Sequence, residues 1–238
     1  SNVLLNVDDF TKLEEESNFE FIKIKDNKTK EIYYMKNIVC LGYPFLKKTL
    51  KTIEVLSKIN NPCIEKLIGF SPPKDKYNAN IAIVCDLGVQ SLSSILHQKT
   101  NLCNKWNDTK KLINAFGIAY GMDYLHSNNI IHCNLAPFNV FVNDNFYPKI
   151  CDIVSPVKVQ GNYSTIKYDS IEELSYLSPE ILKGESYTKS IDVYSYGIIL
   201  YEIFTGEVPF QNLSVFKLPQ LVIKGERPKF VNPIPECQ

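Results

Sequence analysis

The hydrophobic pattern of this chain breaks at Asp86-Leu87-Gly88, from mostly strand-like before it to helical after it, and that change limits what it can fold into. Before the break, apolar runs alternate with polar turns. Phe19, Phe21, Ile22 and Ile24 lead into Asp26-Asn27-Lys28-Thr29, and Ile32-Tyr33-Tyr34-Met35 follow, so Phe10 to Ile38 reads as strands. From Pro44 to Ile59 the apolar residues Phe45, Leu46, Leu50, Ile53, Leu56 and Ile59 recur at three and four positions, which is one face of a helix stopped by Asn60-Asn61-Pro62. Ile64 to Phe70 and Ile81 to Val84 read as two more strands. After Gly88 helical patterning takes over. The expectation is an α+β chain: residues 1–86 as a small, mainly antiparallel β lobe with one main helix, and residues 87–238 as a larger α-helical lobe.

Composition excludes several classes. The 238 residues carry 26 basic and 26 acidic side chains, so no basic footprint for nucleic acid or polybasic patch for a membrane is present. The longest apolar run, Tyr194 to Phe204, is interrupted by Ser195 and Glu202 and is too short to span a bilayer. The seven cysteines contain no C-x-x-C pair, which fits buried thiols in a reducing, cytoplasmic setting better than a disulfide framework or a zinc site. No signal peptide pattern opens the sequence.

The stretch Ile131-His132-Cys133-Asn134-Leu135-Ala136-Pro137-Phe138-Asn139 resembles the catalytic loop of eukaryotic protein kinases, H-R-D-L-x-x-x-N. His132, Leu135 and Asn139 fall in register. Around it, Gly117 to His126 resembles the helix before that loop, Ser178-Pro179-Glu180 the A-P-E position, and Asp192-Val193-Tyr194-Ser195-Tyr196-Gly197 the D-x-W-S-x-G start of the central helix. Gly225-Glu226-Arg227-Pro228 resembles G-x-R-P, and Thr205-Gly206-Glu207-Val208-Pro209-Phe210 points to the tyrosine-kinase-like group. The match covers roughly residues 8 to 238 and implies a bilobal kinase fold. It also implies structural roles: Asp192 accepting backbone hydrogen bonds from the His132 loop, and Glu180 paired with Arg227.

The same alignment of motifs shows losses. The catalytic aspartate is Asn134, whose carboxamide has no basic lone pair near neutral pH. Lys36 falls at the V-A-I-K lysine, and the three glycines of the phosphate loop fall on Glu14, Glu16 and Phe19. Two carboxylates there would face a polyanion, each contact at ~4 Å costing on the order of 4 kcal/mol. Phe21, Tyr34 and Phe141 add bulk at the positions that cover adenine, and could fill its cavity. The helix glutamate that would pair with Lys36 is Thr52; Glu54 lies about 200° round the helix. At D-F-G stand Asp152-Ile153-Val154, so Asp152 and Asn139 keep the two metal-ligand types.

The leading expectation from these losses is a pseudokinase: not an enzyme, binding ATP and Mg²⁺ weakly or not at all. Such a domain would act as a scaffold or allosteric regulator on a protein partner, for example an active kinase. The alternative is a nucleotide-binding switch or a weak, non-standard kinase, supported by Lys36, Asn139 and Asp152. The resemblance further implies helices beyond Arg227-Pro228, where this sequence stops at Pro235-Glu236-Cys237-Gln238; an apolar flank left uncovered there would serve as an interface.

Overall fold

The computed structural model describes residues 4–13, 21–40, 43–72, 80–98, 102–153 and 171–230. Glu14, Glu16, Phe19, Val154 and the C-terminal residues 231–238 lie outside the described residues, as do the expectations placed on them. The chain divides into two compact units, Ser1–Leu87 and Gly88–Gln238.

The first unit is a five-stranded antiparallel sheet with one helix. Its strands are β1 (Phe10–Lys12), β2 (Phe21–Asp26), β3 (Ile32–Val39), β4 (Lys66–Ser71) and β5 (Asn80–Asp86), in the order β1-β2-β3-β5-β4. The polar tetrapeptide makes the β2–β3 turn because Asp26 Oδ1 accepts the backbone N–H groups of Lys28 at 2.7 Å and Thr29 at 3.0 Å. Those bonds also hold the Asp26 carboxyl below the usual carboxylate range. Ile24, Met35, Ala82 and Val84 pack into the core of this sheet.

Helix α1 (Tyr43–Lys58) follows the sequence periodicity with one correction. Ile53 and Leu56 are buried, whereas Phe45 and Leu50 of the same predicted stripe stay exposed. The helix ends where Asn61 Oδ1 accepts the Cys63 N–H at 2.8 Å, closing the chain into a turn before Pro62 could extend it.

The second unit is built on helices α3 (Asp108–Ser127) and α6 (Ser190–Thr205), which pack together. Shorter helices α2 (Leu92–His97), α4 (Ile171–Ser175), α5 (Pro179–Lys183) and α7 (Leu218–Ile223) surround them. A small antiparallel sheet, β6 (Gln90–Ser91), β7 (Val140–Val142) and β8 (Pro148–Ile150), carries the loops described below. Gly88 starts this unit at a place where a side chain has no room: a Cβ there would lie 2.6 Å from the Val142 carbonyl oxygen. That carbonyl also accepts the Val89 N–H at 2.7 Å. Helix α6 is apolar almost all round, with Ile191, Ile198, Ile199 and Ile203 buried, as befits a helix at the centre of its unit. Among the described residues, no helix is long and apolar enough to cross a membrane.

Candidate active site

The loop from Ile131 to Asn139 is shaped by a single carboxylate. Asp192, in the first turn of α6 and 1% exposed, accepts the His132 N–H on Oδ2 at 2.8 Å and the Cys133 N–H on Oδ1 at 2.9 Å. His126 Nε2, near the end of α3, adds a third contact to Oδ2 at 2.9 Å. A buried carboxylate needs donors of this kind to offset its lost hydration. The two successive backbone donors form an anion nest, and Cys133 reaches it by adopting φ +65°, a left-handed conformation that L-residues enter at a cost of about 1–2 kcal/mol.

His132 is itself buried and fixes the next residue. Its Nε2 lies 2.9 Å from the Cys151 carbonyl, so it donates there, and Nδ1 accepts the Asn134 N–H at 3.2 Å. The ring is therefore the neutral Nε2–H tautomer. Cys133 is chemically quiet: burial first, and then the Asp192 carboxylate, push its thiol up to about 12.

The residues at the catalytic-base and metal positions come together in this unit. Asn134 Nδ2 donates to Asp152 Oδ2 at 2.9 Å, and Asn139 Nδ2 donates to the Asn134 carbonyl at 2.8 Å. The Asn139 carbonyl accepts the Cys151 N–H at 2.9 Å, binding the two loops to each other just before Asp152. Asp152 takes φ +62°, another left-handed non-glycine residue, so its carboxylate is held in a sparsely populated backbone geometry. Ile153 behind it is 3% exposed and plugs the core.

With Nδ2 of Asn139 committed to the loop, its Oδ1 and the Asp152 carboxylate are the oxygens this arrangement offers to a cation. Among the described residues, no group of three or more His, Cys, Asp or Glu could hold a metal. One carboxylate and one amide oxygen suit a Mg²⁺ ion that arrives with nucleotide phosphates, not a resident one.

In the first unit, Lys36 lies opposite Phe21 across the β2–β3 ladder, its Nζ 5.3 Å from the ring centroid. Tyr34 is buried at 8% exposure and Phe21 is half-buried. Thr52 is buried while Glu54 points outward to Lys58, with Nζ 2.6 Å from Oε1. Glu54 is thus turned away from the side of α1 that Thr52 occupies. Phe141, in the second unit, is buried on β7.

Comparison with known proteins decides the family. The profile described as protein tyrosine and serine/threonine kinase matches residues 26–237. The chain belongs to the protein kinase family. Its kinase fold is a five-stranded antiparallel sheet with one helix, followed by a helical unit. It is 35% identical over 195 residues to a probable serine/threonine-protein kinase of Dictyostelium discoideum, covering 80% of this chain and 20% of that protein. It is 31% identical over 191 residues to the RGS domain-containing serine/threonine-protein kinase A of the same organism, covering 80% of this chain and 16% of that protein. It is 30% identical over 200 residues to fibroblast growth factor receptor 1 of Dugesia japonica, covering 79% and 22% respectively. The chain thus spans about a fifth of the length of these relatives.

These matches overturn the expectation that this kinase-family chain is not an enzyme, since its relatives are named as serine/threonine-protein kinases. The physical correction concerns the weight given to Asn134. Phosphoryl transfer passes through a loose transition state in which positioning and electrostatics do most of the work. A general base contributes about 10²–10⁴-fold, so its loss slows such an enzyme without removing the other contributions.

A second correction concerns the activation-segment anchor of the kinase fold. Glu180 and Arg227 do not form the expected ion pair. Glu180 Oε2 is buried with no hydrogen-bond partner, while Arg227 Nη1 donates to the carbonyls of Val222 at 3.1 Å and Glu226 at 2.7 Å. The Arg227 guanidinium stacks 4.9 Å from the centroid of Tyr194, the residue standing at the family's tryptophan position. The ring offers the cation an alternative to the carboxylate.

One cluster went unforeseen. Glu202, 2% exposed in the last turn of α6, accepts the Tyr176 hydroxyl on Oε2 and meets His97 Nε2 at 2.5 Å on Oε1. The signal was present in the sequence: a glutamate inside an apolar run must find donors if it is buried. Its partners, 105 and 26 residues away, leave no local trace.

Proposed function

We propose that this domain is a weak, non-standard protein kinase, moving the γ-phosphoryl group of a nucleoside triphosphate to a hydroxyl on a protein partner in the cytoplasm. The observation that carries this reading is the bonded set Asn134, Asp152 and Asn139, in which both metal-ligand positions are kept and pinned to one loop. A bound Mg²⁺-nucleotide would supply the phosphoryl group and the cation charge that screens its oxygens. The chain's own part is to hold Asp152 and Asn139 towards that cation and to keep the loop rigid through Asp192.

Rate and affinity follow from the changed residues. Kinases turn over at about 1–100 s⁻¹, and loss of a base worth about 10²–10⁴-fold puts this domain at about 1 s⁻¹ or below. The resemblance puts the carboxylates of Glu14 and Glu16 at the phosphate-loop positions, and like charge there would oppose nucleotide phosphates, so weak nucleotide and Mg²⁺ binding is part of this proposal. The balanced charge of 26 basic and 26 acidic residues favours a protein substrate over nucleic acid.

The test is transfer of radiolabelled γ-phosphate from ATP to a generic protein substrate, at millimolar ATP with Mg²⁺ or Mn²⁺. Slow incorporation that Asp152→Ala abolishes is the expected result. Incorporation no greater than that of the Asp152→Ala protein would remove the proposal.

A further inference from the structure

Helix α1 carries more apolar surface than the first unit covers. Its buried side holds Thr49, Thr52, Ile53 and Leu56. Beside that side runs a second apolar row, Tyr43, Leu46 and Leu50, at i, i+3 and i+7 of the same helix. Tyr43 is 75% exposed and Leu50 43% exposed, while Leu46 is half-buried. Leu50 lies about 60° round the helix from Ile53, so the row continues the buried side out into solvent.

Charge borders this row on one sign only. Lys47 and Lys51 are exposed next to it, and the first turn of α1 holds no acidic side chain. The first carboxylate along the helix is Glu54, and Lys58 already holds it with Nζ 2.6 Å from Oε1. The positive end of the helix dipole therefore lies at Tyr43 with no acidic side chain of the first turn to offset it. Since the chain as a whole balances 26 basic against 26 acidic residues, this excess is local.

We infer that the row Tyr43, Leu46 and Leu50 is a docking surface for an acidic amphipathic helix of a partner protein. The partner's apolar side chains lie along the row, and its Asp or Glu side chains reach Lys47 and Lys51. Recognition of a helix through anchors at i, i+3 and i+7 has this form. A second copy of the chain fits poorly, because a two-fold contact sets Lys47 and Lys51 towards the same cations of the other copy. A lipid surface fits poorly as well. Clusters of about 4–8 basic residues mark binding to anionic lipid, and among the described residues of α1 the exposed cations outside the Glu54 pair are Lys47 and Lys51.

The experiment is fluorescence polarisation of the whole chain with a labelled helical peptide of about 18 residues, long enough for five turns. The peptide carries Leu at i, i+3 and i+7 and Glu on both flanks, and a second peptide has Lys in place of every Glu. The acidic peptide is expected to bind at least about tenfold more tightly than the lysine peptide, and to weaken severalfold as salt is raised. Leu50→Ser is expected to weaken it about tenfold. Lys47→Glu combined with Lys51→Glu is expected to reverse the preference, so that the lysine peptide binds the tighter. All three positions are exposed, and circular dichroism confirms that each variant keeps its helix content.

Equal affinity for the two peptides, wild-type affinity in Leu50→Ser, or no binding of the acidic peptide at millimolar concentration overturns the inference. Analytical ultracentrifugation and co-pelleting with phosphatidylserine-containing vesicles accompany it. A dimer that Leu50→Ser dissolves assigns the row to a second copy, and vesicle binding that the double charge reversal abolishes assigns it to a lipid surface. Either result also overturns the inference. None of these measurements reads phosphate transfer, so the kinase reading stands or falls separately.

Discussion

Asp192 reaches across sixty residues of chain to accept the backbone N–H of His132 at 2.8 Å, and with its other oxygen takes the next N–H, that of Cys133. The loop is therefore an extension of helix α6, and its stability should be inseparable from that carboxylate.

Asp192→Ala leaves the N–H groups of His132 and Cys133 and the His126 ring without their acceptor. A cost of about 2–5 kcal/mol is expected from two buried backbone donors left unsatisfied, each worth about 1–3 kcal/mol. Urea unfolding followed by circular dichroism measures it, and Asp192→Asn, which keeps one acceptor oxygen, should lose less. A loss below 1 kcal/mol for the alanine variant would contradict the anchoring role.

Alkaline pH should weaken the second unit in part through Cys133. Burial and the Asp192 carboxylate push its thiol up to about 12 from the ordinary 9.0, so the protonated form is the one favoured by folding. The associated stability is complete below about pH 9 and is lost as pH climbs from 9 towards 12. Cys133→Ala should flatten that part of the stability-against-pH curve relative to wild type. At pH 8 the native protein should also leave Cys133 unalkylated by iodoacetamide, as read by peptide mass spectrometry.

Glu202→Gln tests the cluster in α6. The substituted amide presents a donor where either the Tyr176 hydroxyl or His97 needs an acceptor. Destabilisation of about 1–3 kcal/mol is expected from the buried mismatch. The melting temperature in a scanning calorimeter reports it.

Gly88→Ala drives a methyl group into the Val142 carbonyl, which backbone on a paired strand cannot easily yield. The expected loss is about 1–3 kcal/mol. Hydrogen exchange at Val89, whose N–H bonds to that carbonyl, should accelerate as the strand is pushed away.

Local pattern revealed a good share of this architecture. The 3.6-residue spacing over Pro44 to Ile59 anticipates α1 to within a residue at each end, because burial of Ile53 and Leu56 needs that period. It also explains why Glu54 and Thr52 take different sides. What pattern could not supply were contacts between distant chain positions. The Arg227 guanidinium had two candidate neighbours, Glu180 and Tyr194, and only packing decides between a carboxylate and an aromatic face. The Asn134–Asp152 bond was hidden for the same reason, although both residues were singled out. A substitution read as a missing base proves in space to be a hydrogen-bond donor to the neighbouring aspartate.

The nest around Asp192 has a consequence for how this loop can vary. It grips main-chain N–H groups, which every residue except proline possesses, so it asks no hydrogen bond of the side chains at 133 and 134. The loop therefore behaves as a socket whose mounting is fixed in the helix core while its fittings are exchangeable. Chemistry at position 134 can be rewritten by one codon with no need to rebuild the frame that presents it.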